Sequence, residues 1–170
     1  SFLSQSVWLT ECSGGGWSPD FGQNMAWMMR NLVIGNFRNW GETVLLWNLA
    51  LDPAGGPTNG GCQDCRGVVT VDPSDGTVSR NEEYYALAHV TRVVDPGGRR
   101  IQSSGFGPGG PENVAFRNPD GSLGLVVHSE LAQRVAVDTG LGAFEFDMPA
   151  GATVSFRWRG ASGKPRVPHP

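Results

Sequence analysis

Glu11 is the first residue whose type and setting could do chemistry. It closes a short apolar run, Val7-Trp8-Leu9-Thr10, and is followed by Ser13-Gly14-Gly15-Gly16. Such a run reads as a short buried strand over residues 7–10. A carboxylate at the carboxyl end of a buried strand, ahead of a glycine-rich loop, stands where barrel enzymes place catalytic groups. A loop glutamate that caps nearby backbone or faces water fits the same spacing, and both readings stay open here. Trp47 ends a second apolar run, Val44-Leu45-Leu46-Trp47, just before Asn48. An indole beside a carboxylate fits sugar recognition, because the apolar faces of a pyranose stack on its ring. Core packing at a barrel mouth is the alternative. Trp17, in the loop after Glu11, and Trp40, after the first helix, are looser candidates, and Trp8 and Trp27 read as core.

The other reactive side chains point less clearly. Cys62 and Cys65 form a CxxC and Cys12 stands apart. A zinc site wants a second pair or histidines at ligand spacing. His89, His128 and His169 offer neither, so no metal or other cofactor is expected, and the CxxC is either a local disulfide or a pair of free thiols. The net charge of −3 is unevenly divided. Residues 1–98 hold five arginines against ten carboxylates, and residues 99–170 hold eight basic residues against six. Neither half has the dense basic patch of a nucleic-acid interface. No apolar run approaches the ~20 residues of a membrane helix. Twelve arginines to one lysine suggest a secreted protein of a high-GC bacterium. The 170 residues start at Ser1 without an initiator Met and read as a piece of a longer polypeptide, and the oligomeric state is left open.

The elements that must position these groups follow from periodicity. Met25, Met28, Met29, Leu32, Val33 and Phe37 fall at helical spacing, which predicts a helix from Phe21 to an end near Asn36 to Asn39, entered through Ser18-Pro19. A second buried strand is expected over 43–47. A long loop rich in Gly, Pro, Asn and Asp runs from 48 to 66, of a length that is usually functional or disordered. Val68 to Val71 and Thr77-Val78 bracket Asp72-Pro73-Ser74-Asp75-Gly76, a hairpin signal. A helix follows over 81–93, with Tyr84, Tyr85, Leu87, Ala88, Thr91 and Val94 as its apolar face. Beyond it, Val135 and Val137, then Phe144, Phe146 and Met148, then Val154, Phe156 and Trp158 alternate with polar residues. Strict period-two alternation over successive strands predicts an antiparallel β-sandwich.

The string itself is informative beyond its periods. Trp8-Leu9-Thr10-Glu11-Cys12-Ser13-Gly14-Gly15 is followed by Met28-Met29-Arg30-Asn31-Leu32-Val33. Then come Leu46-Trp47-Asn48-Leu49-Ala50-Leu51-Asp52-Pro53-Ala54-Gly55-Gly56-Pro57, Glu83 to His89, and Phe156-Arg157-Trp158. Together these resemble glycoside hydrolase family 30, the glucosylceramidase family, over roughly residues 7–159. The resemblance implies an α/β plus all-β fold: the C-terminal strands and helices of a TIM (β/α)8 barrel, then a β-sandwich. Residues 1–94 would be the barrel part, with strands seven and eight at 7–10 and 43–47. Helices seven and eight would lie at 19–37 and 81–93, with an inserted loop and ribbon at 48–79. Residues 95–160 would be the sandwich and 161–170 a polar tail.

For activity, the resemblance implies a retaining β-glycosidase acting on a β-glucoside or glucosylceramide-like substrate. Glu11 would be its nucleophile and Trp47 and Trp17 would line the sugar site. A β-1,6-glucanase or xylanase of the same family, or a non-catalytic carbohydrate-binding sandwich, are the alternatives. The family's acid/base is a Glu preceded by Asn on strand four, and no segment of this sequence is read as matching that motif or strand, so the chain alone is expected to be inactive. The CxxC loop from Thr58 to Arg66 departs from the animal lysosomal members.

Overall fold

The elements gather into two compact units, one reaching to Leu87 and one starting at Ala88. The computed structural model describes residues 5–140 and 142–159, so the tail at 161–170 lies outside the described residues.

The first unit opens with a β-α-β passage. Strand β1, Val7–Leu9, pairs in parallel with β2, Gly41–Val44, with Trp8 opposite Thr43 and Leu9 opposite Val44. Parallel neighbours need a crossover, and here it is one continuous helical run. It comprises α1, Phe21–Met28, a π-helical stretch, Met29–Gly35, and α2, Asn36–Arg38. Asp20, rather than Ser18, caps the run: its carboxylate accepts from the Gln23 amide at 2.7 Å. The i→i+5 winding adds a residue to the turn and brings Ile34 into the buried set with Met28, Met29, Leu32 and Val33. A side chain at Gly41 would overlap the Asn36 amide, which instead donates to the Thr43 carbonyl at 2.9 Å and ties the helix end to β2.

Strand β2 begins and ends earlier than the apolar run suggested. Its pairing starts at Gly41, and Leu45 to Trp47 leave the regular strand. The long loop is also less irregular than expected, because β3, Ala50–Leu51, pairs in parallel with β4, Val69–Val71. Strand β4 then forms the expected hairpin with β5, Val78–Arg80. Helix α3 spans Glu82–Thr91. Its buried side chains are Glu82, Glu83 and Ala86, not the tyrosines, because Arg66 neutralises and binds the two carboxylates.

The second unit is the antiparallel sandwich. One sheet has the order β11-β8-β7-β6, from Ala152–Trp158, Leu123–Ser129, Glu112–Arg117 and Arg99–Ile101. Facing it is a hairpin of β9, Gln133–Asp138, and β10, Ala143–Met148. Ala115, Leu125 and Phe156 from the first sheet meet Val135 and Met148 from the second. Phe156 packs against Phe144 and Phe146 with ring centroids 5.2 and 5.5 Å away. The alternating residues of β9 and β10 therefore point inward as the sequence implied. His128 is buried on β8 and its Nδ1 bonds Thr153 at 3.0 Å.

Taken together, the described residues form a mostly β structure with few helices and an antiparallel sandwich. No closed barrel is present among them, since β1 and β2 pair with each other alone. This explains why two tryptophans read as core are not: Trp8 is 59 % and Trp27 49 % exposed. Parallel sheets are apolar because both faces are normally covered, and no such cover lies over β1 here.

Candidate functional site

Glu11 lies two residues past the carboxyl end of β1 and is exposed. Beyond the strand, the main chain keeps its parallel pairing for one more step. The Cys12 amide donates to Leu45 O at 3.2 Å, and the Trp47 amide donates to Cys12 O at 2.7 Å. These two bonds set Leu46 opposite Cys12, so Glu11 immediately precedes and Trp47 immediately follows a paired position at the same end of the two strands. Trp47 is 46 % exposed, which suits a ring that a ligand could stack on.

The loop after Glu11 is held from its other side. Residues Gly14 to Gly16 run antiparallel to Asp64 to Arg66. The Gly16 amide donates to Asp64 O and the Arg66 amide to Gly14 O, each at 2.9 Å, with Gly15 bridging Cys65. The three glycines have a packing reason. A Cβ on Gly14 would overlap the Glu83 carboxylate, one on Gly15 would overlap the Trp17 ring, and one on Gly16 would overlap the Asp64 carboxylate. Trp17 thus lies against the loop backbone and is 58 % exposed. The Trp47 ring lies 3.8 Å from the position a Gly61 side chain would take. The 58–66 loop therefore approaches both tryptophans.

Two further devices shape that loop. Cys62 and Cys65 are joined as a disulfide, which decides between the two states the CxxC left open, and Cys12 is a free thiol. Upstream, the Asp52 carboxylate accepts from the amides of Ala54 and Gly56, both at 2.8 Å, and turns the chain tightly after β3.

An ion cluster that the sequence reading missed lies beneath the loop. Arg66 donates through Nε to both oxygens of Glu83, at 3.3 and 3.2 Å, and through Nη2 to Glu83 Oε1 at 3.1 Å and Glu82 Oε2 at 3.0 Å. The Glu83 side chain is 1 % exposed. Glu82 also accepts from Asn24 of α1 at 3.2 Å. Both carboxylates lie in the first turn of α3, where the helix dipole favours negative charge. The available signal was a pair of adjacent acids opening a helix, next to three glycines needing close backbone approach. Asn81-Glu82 is also the one Asn-Glu dipeptide in the chain, and its carboxylate is engaged with Arg66 at a helix start rather than free at a strand end. Among the described residues, no group of three or more His, Cys, Asp or Glu could hold a metal ion.

The sandwich unit carries a separate cleft of about 550 Å3, lined in part by Phe106, Arg117, Val135 and Trp158. Residues of β6, β7 and β8 in the larger sheet and of β9 in the hairpin line it. Neither Glu11 nor Trp47 lines it.

Comparison with known proteins bears on an antiparallel sandwich that follows a parallel strand pair. Residues 97–156 match the model described as the glycosyl hydrolase family 30 beta sandwich domain. The chain belongs to glycoside hydrolase family 30. It is 32 % identical to an endo-1,6-beta-D-glucanase of Aspergillus fumigatus over 76 % of this chain and 26 % of that protein. It is 29 % identical to the lysosomal acid glucosylceramidase of Mus musculus over 66 % of this chain and 22 % of that protein. The solved structure of an endo-beta1,6-glucanase superposes with a TM-score of 0.85 at 34 % identity, over 93 % of this chain and 36 % of that one. The chain thus spans about a quarter of the length of the curated relatives it matches.

Proposed function

We propose that this chain supplies the nucleophile side of a retaining β-glycosidase acting on β-linked glucosides, with Glu11 as nucleophile. The observation that carries the reading is the main-chain bond from Trp47 to Cys12, which sets a carboxylate and an exposed indole at the same end of two parallel strands. On this reading β1 and β2 are strands seven and eight of a barrel, and the sandwich follows it. The Glu11 carboxylate attacks the anomeric carbon as the aglycone oxygen takes a proton from a second carboxylic acid, roughly 5–5.5 Å away. The resulting glycosyl ester is then cleaved by water that the same partner, now a base, activates. The partner is assigned to polypeptide outside these 170 residues. The nucleophile must stay ionised while the partner stays protonated. Trp47 and Trp17 are proposed to stack on the sugar.

The test is labelling of the full-length enzyme with a mechanism-based β-glucoside inactivator, followed by mass spectrometry of the modified peptide. Attachment at Glu11 is the expected result, and attachment elsewhere overturns the assignment.

A second reading concerns the glycan. Relatives at 32 and 34 % identity are named as endo-β-1,6-glucanases and others at 34 and 29 % as glucosylceramidases, so a β-1,6-linked glucan stands beside a glucosylceramide-like lipid as candidate substrate. Parallel assays on the two substrates separate these. Secretion belongs to the same proposal and is supported by the Cys62–Cys65 disulfide, since such bonds persist in oxidising compartments.

A further inference from the structure

The segment carrying Glu11 has two anchors. Upstream of the glycines, Cys12 is bonded to Leu45 and Trp47. Downstream, Gly14 accepts from the Arg66 amide and Gly16 donates to Asp64. Only Cys12 and Ser13 separate Glu11 from Gly14, so the second anchor, together with the first at Cys12, sets the course of the chain leaving Glu11.

What fixes that second anchor is Arg66. Its main chain bonds the loop, and its guanidinium forks onto Glu83 while reaching Glu82. The same guanidinium and the Glu83 carboxylate lie against the bare Cα of Gly14, with Nη2 3.0 Å from where a Cβ would be. One residue therefore connects the loop backbone to the buried carboxylates of α3 by both its main chain and its side chain. A planar five-donor fork can serve both carboxylates in one fixed orientation, which an ammonium point charge cannot do.

We infer that Arg66 is a positioning residue: by gripping the loop after Glu11 and the α3 carboxylates at once, it sets where the Glu11 carboxylate stands against the sugar. The inference rests on the assignment of Glu11 as nucleophile. Misplacing a reacting group by about 1 Å can cost ~100-fold in rate. Uniform binding of the sugar by the tryptophans would be little changed.

The test compares wild type with Arg66→Lys, and with the double variant Arg66→Gln, Glu83→Gln, in the full-length enzyme. Lysine keeps a cation between the two glutamates and so avoids stranding buried charge. The double variant checks the result with one carboxylate removed together with the cation. The readouts are kcat and KM on an aryl β-glucoside, the rate and site of labelling by the mechanism-based inactivator, and the melting temperature. Expected for Arg66→Lys is a fall of ~10-fold or more in kcat and in the maximal labelling rate, with KM changed less than ~3-fold. The melting temperature should stay within a few degrees. A wild-type labelling rate at Glu11 in both folded variants overturns the inference and leaves Arg66 a brace only. So does a loss no larger than the unfolded fraction. Labelling of a residue other than Glu11 in the wild type overturns the site assignment instead, so the two failures are distinguishable.

Discussion

The main-chain nitrogen of Trp47 donates to the carbonyl of Cys12 across 2.7 Å, three residues beyond the last regular pair of β1 and β2. That bond joins the segment bearing the candidate carboxylate to the one bearing the candidate sugar platform. The first prediction follows from it. Glu11→Gln in the full-length enzyme should remove hydrolysis of an aryl β-glucoside by several orders of magnitude, since an amide cannot form the glycosyl ester. The folded state should be kept, because Glu11 is exposed. Near-normal turnover would move the role elsewhere.

Gly14→Ala should destabilise the protein by about 1–3 kcal/mol. The new methyl overlaps the Glu83 carboxylate, which is buried and held by Arg66, so it cannot swing away freely. Urea titration reads the cost. An unchanged midpoint would mean that Glu83 has room the structure does not show.

The sandwich should lose stability on mild acidification. The His89 ring bonds the Ser155 hydroxyl at 2.8 Å, and that hydroxyl donates to His89 O at 2.9 Å. With its one proton so used, Ser155 accepts from Nδ1–H. Burial, then the charges of Arg92 and His128, pushes the His89 pKa down to about 4 from an ordinary 6.5. The unfolded chain therefore binds more protons between those values. Stability contributed by neutral His89 is intact above 6.5 and is lost as pH falls from 6.5 to 4, by about 3 kcal/mol at most. Asp120 and Asp147 are held low, Asp120 first by the Ser122 hydroxyl and Asp147 first by Arg134, so their stabilisation is lost only below pH 3.8. Melting temperatures at pH 7 and pH 5 should differ in the wild type and converge in His89→Gln. Equal slopes in the two proteins would exclude His89 as the cause.

The 170-residue chain by itself should show no glycosidase activity and should self-associate. Among the described residues no strand pairs with either outer edge of the β1–β2 pair, and Trp8 and Leu45 are exposed beside them. Unpaired strand edges next to apolar side chains are a route to aggregation. Sedimentation velocity and an aryl β-glucoside assay check this. Turnover contradicts the first expectation, and a monomer that melts cooperatively contradicts the second.

Much of the architecture was legible in the sequence because its causes are local. Val135 and Val137, and Phe144, Phe146 and Met148, alternate with a period that only a half-buried strand explains, and these residues do point inward. The apolar spacing from Met28 to Val33 announced a helix, and the buried face of the helical run carries those residues. Tertiary contacts decided the rest. The π winding that buries Ile34 leaves no mark in a helical spacing pattern. Glu82 and Glu83 read as the polar start of a helix, and only the approach of Arg66, sixteen and seventeen residues earlier, makes them buried partners. Trp8 and Trp27 read as core because they are large and apolar, yet burial depends on what covers a face, and nothing described here covers theirs. The amino-acid types thus determined which surfaces could be buried and which groups could react. Which carboxylates lie under a loop and which tryptophans remain open were decided by contacts between segments far apart in the chain.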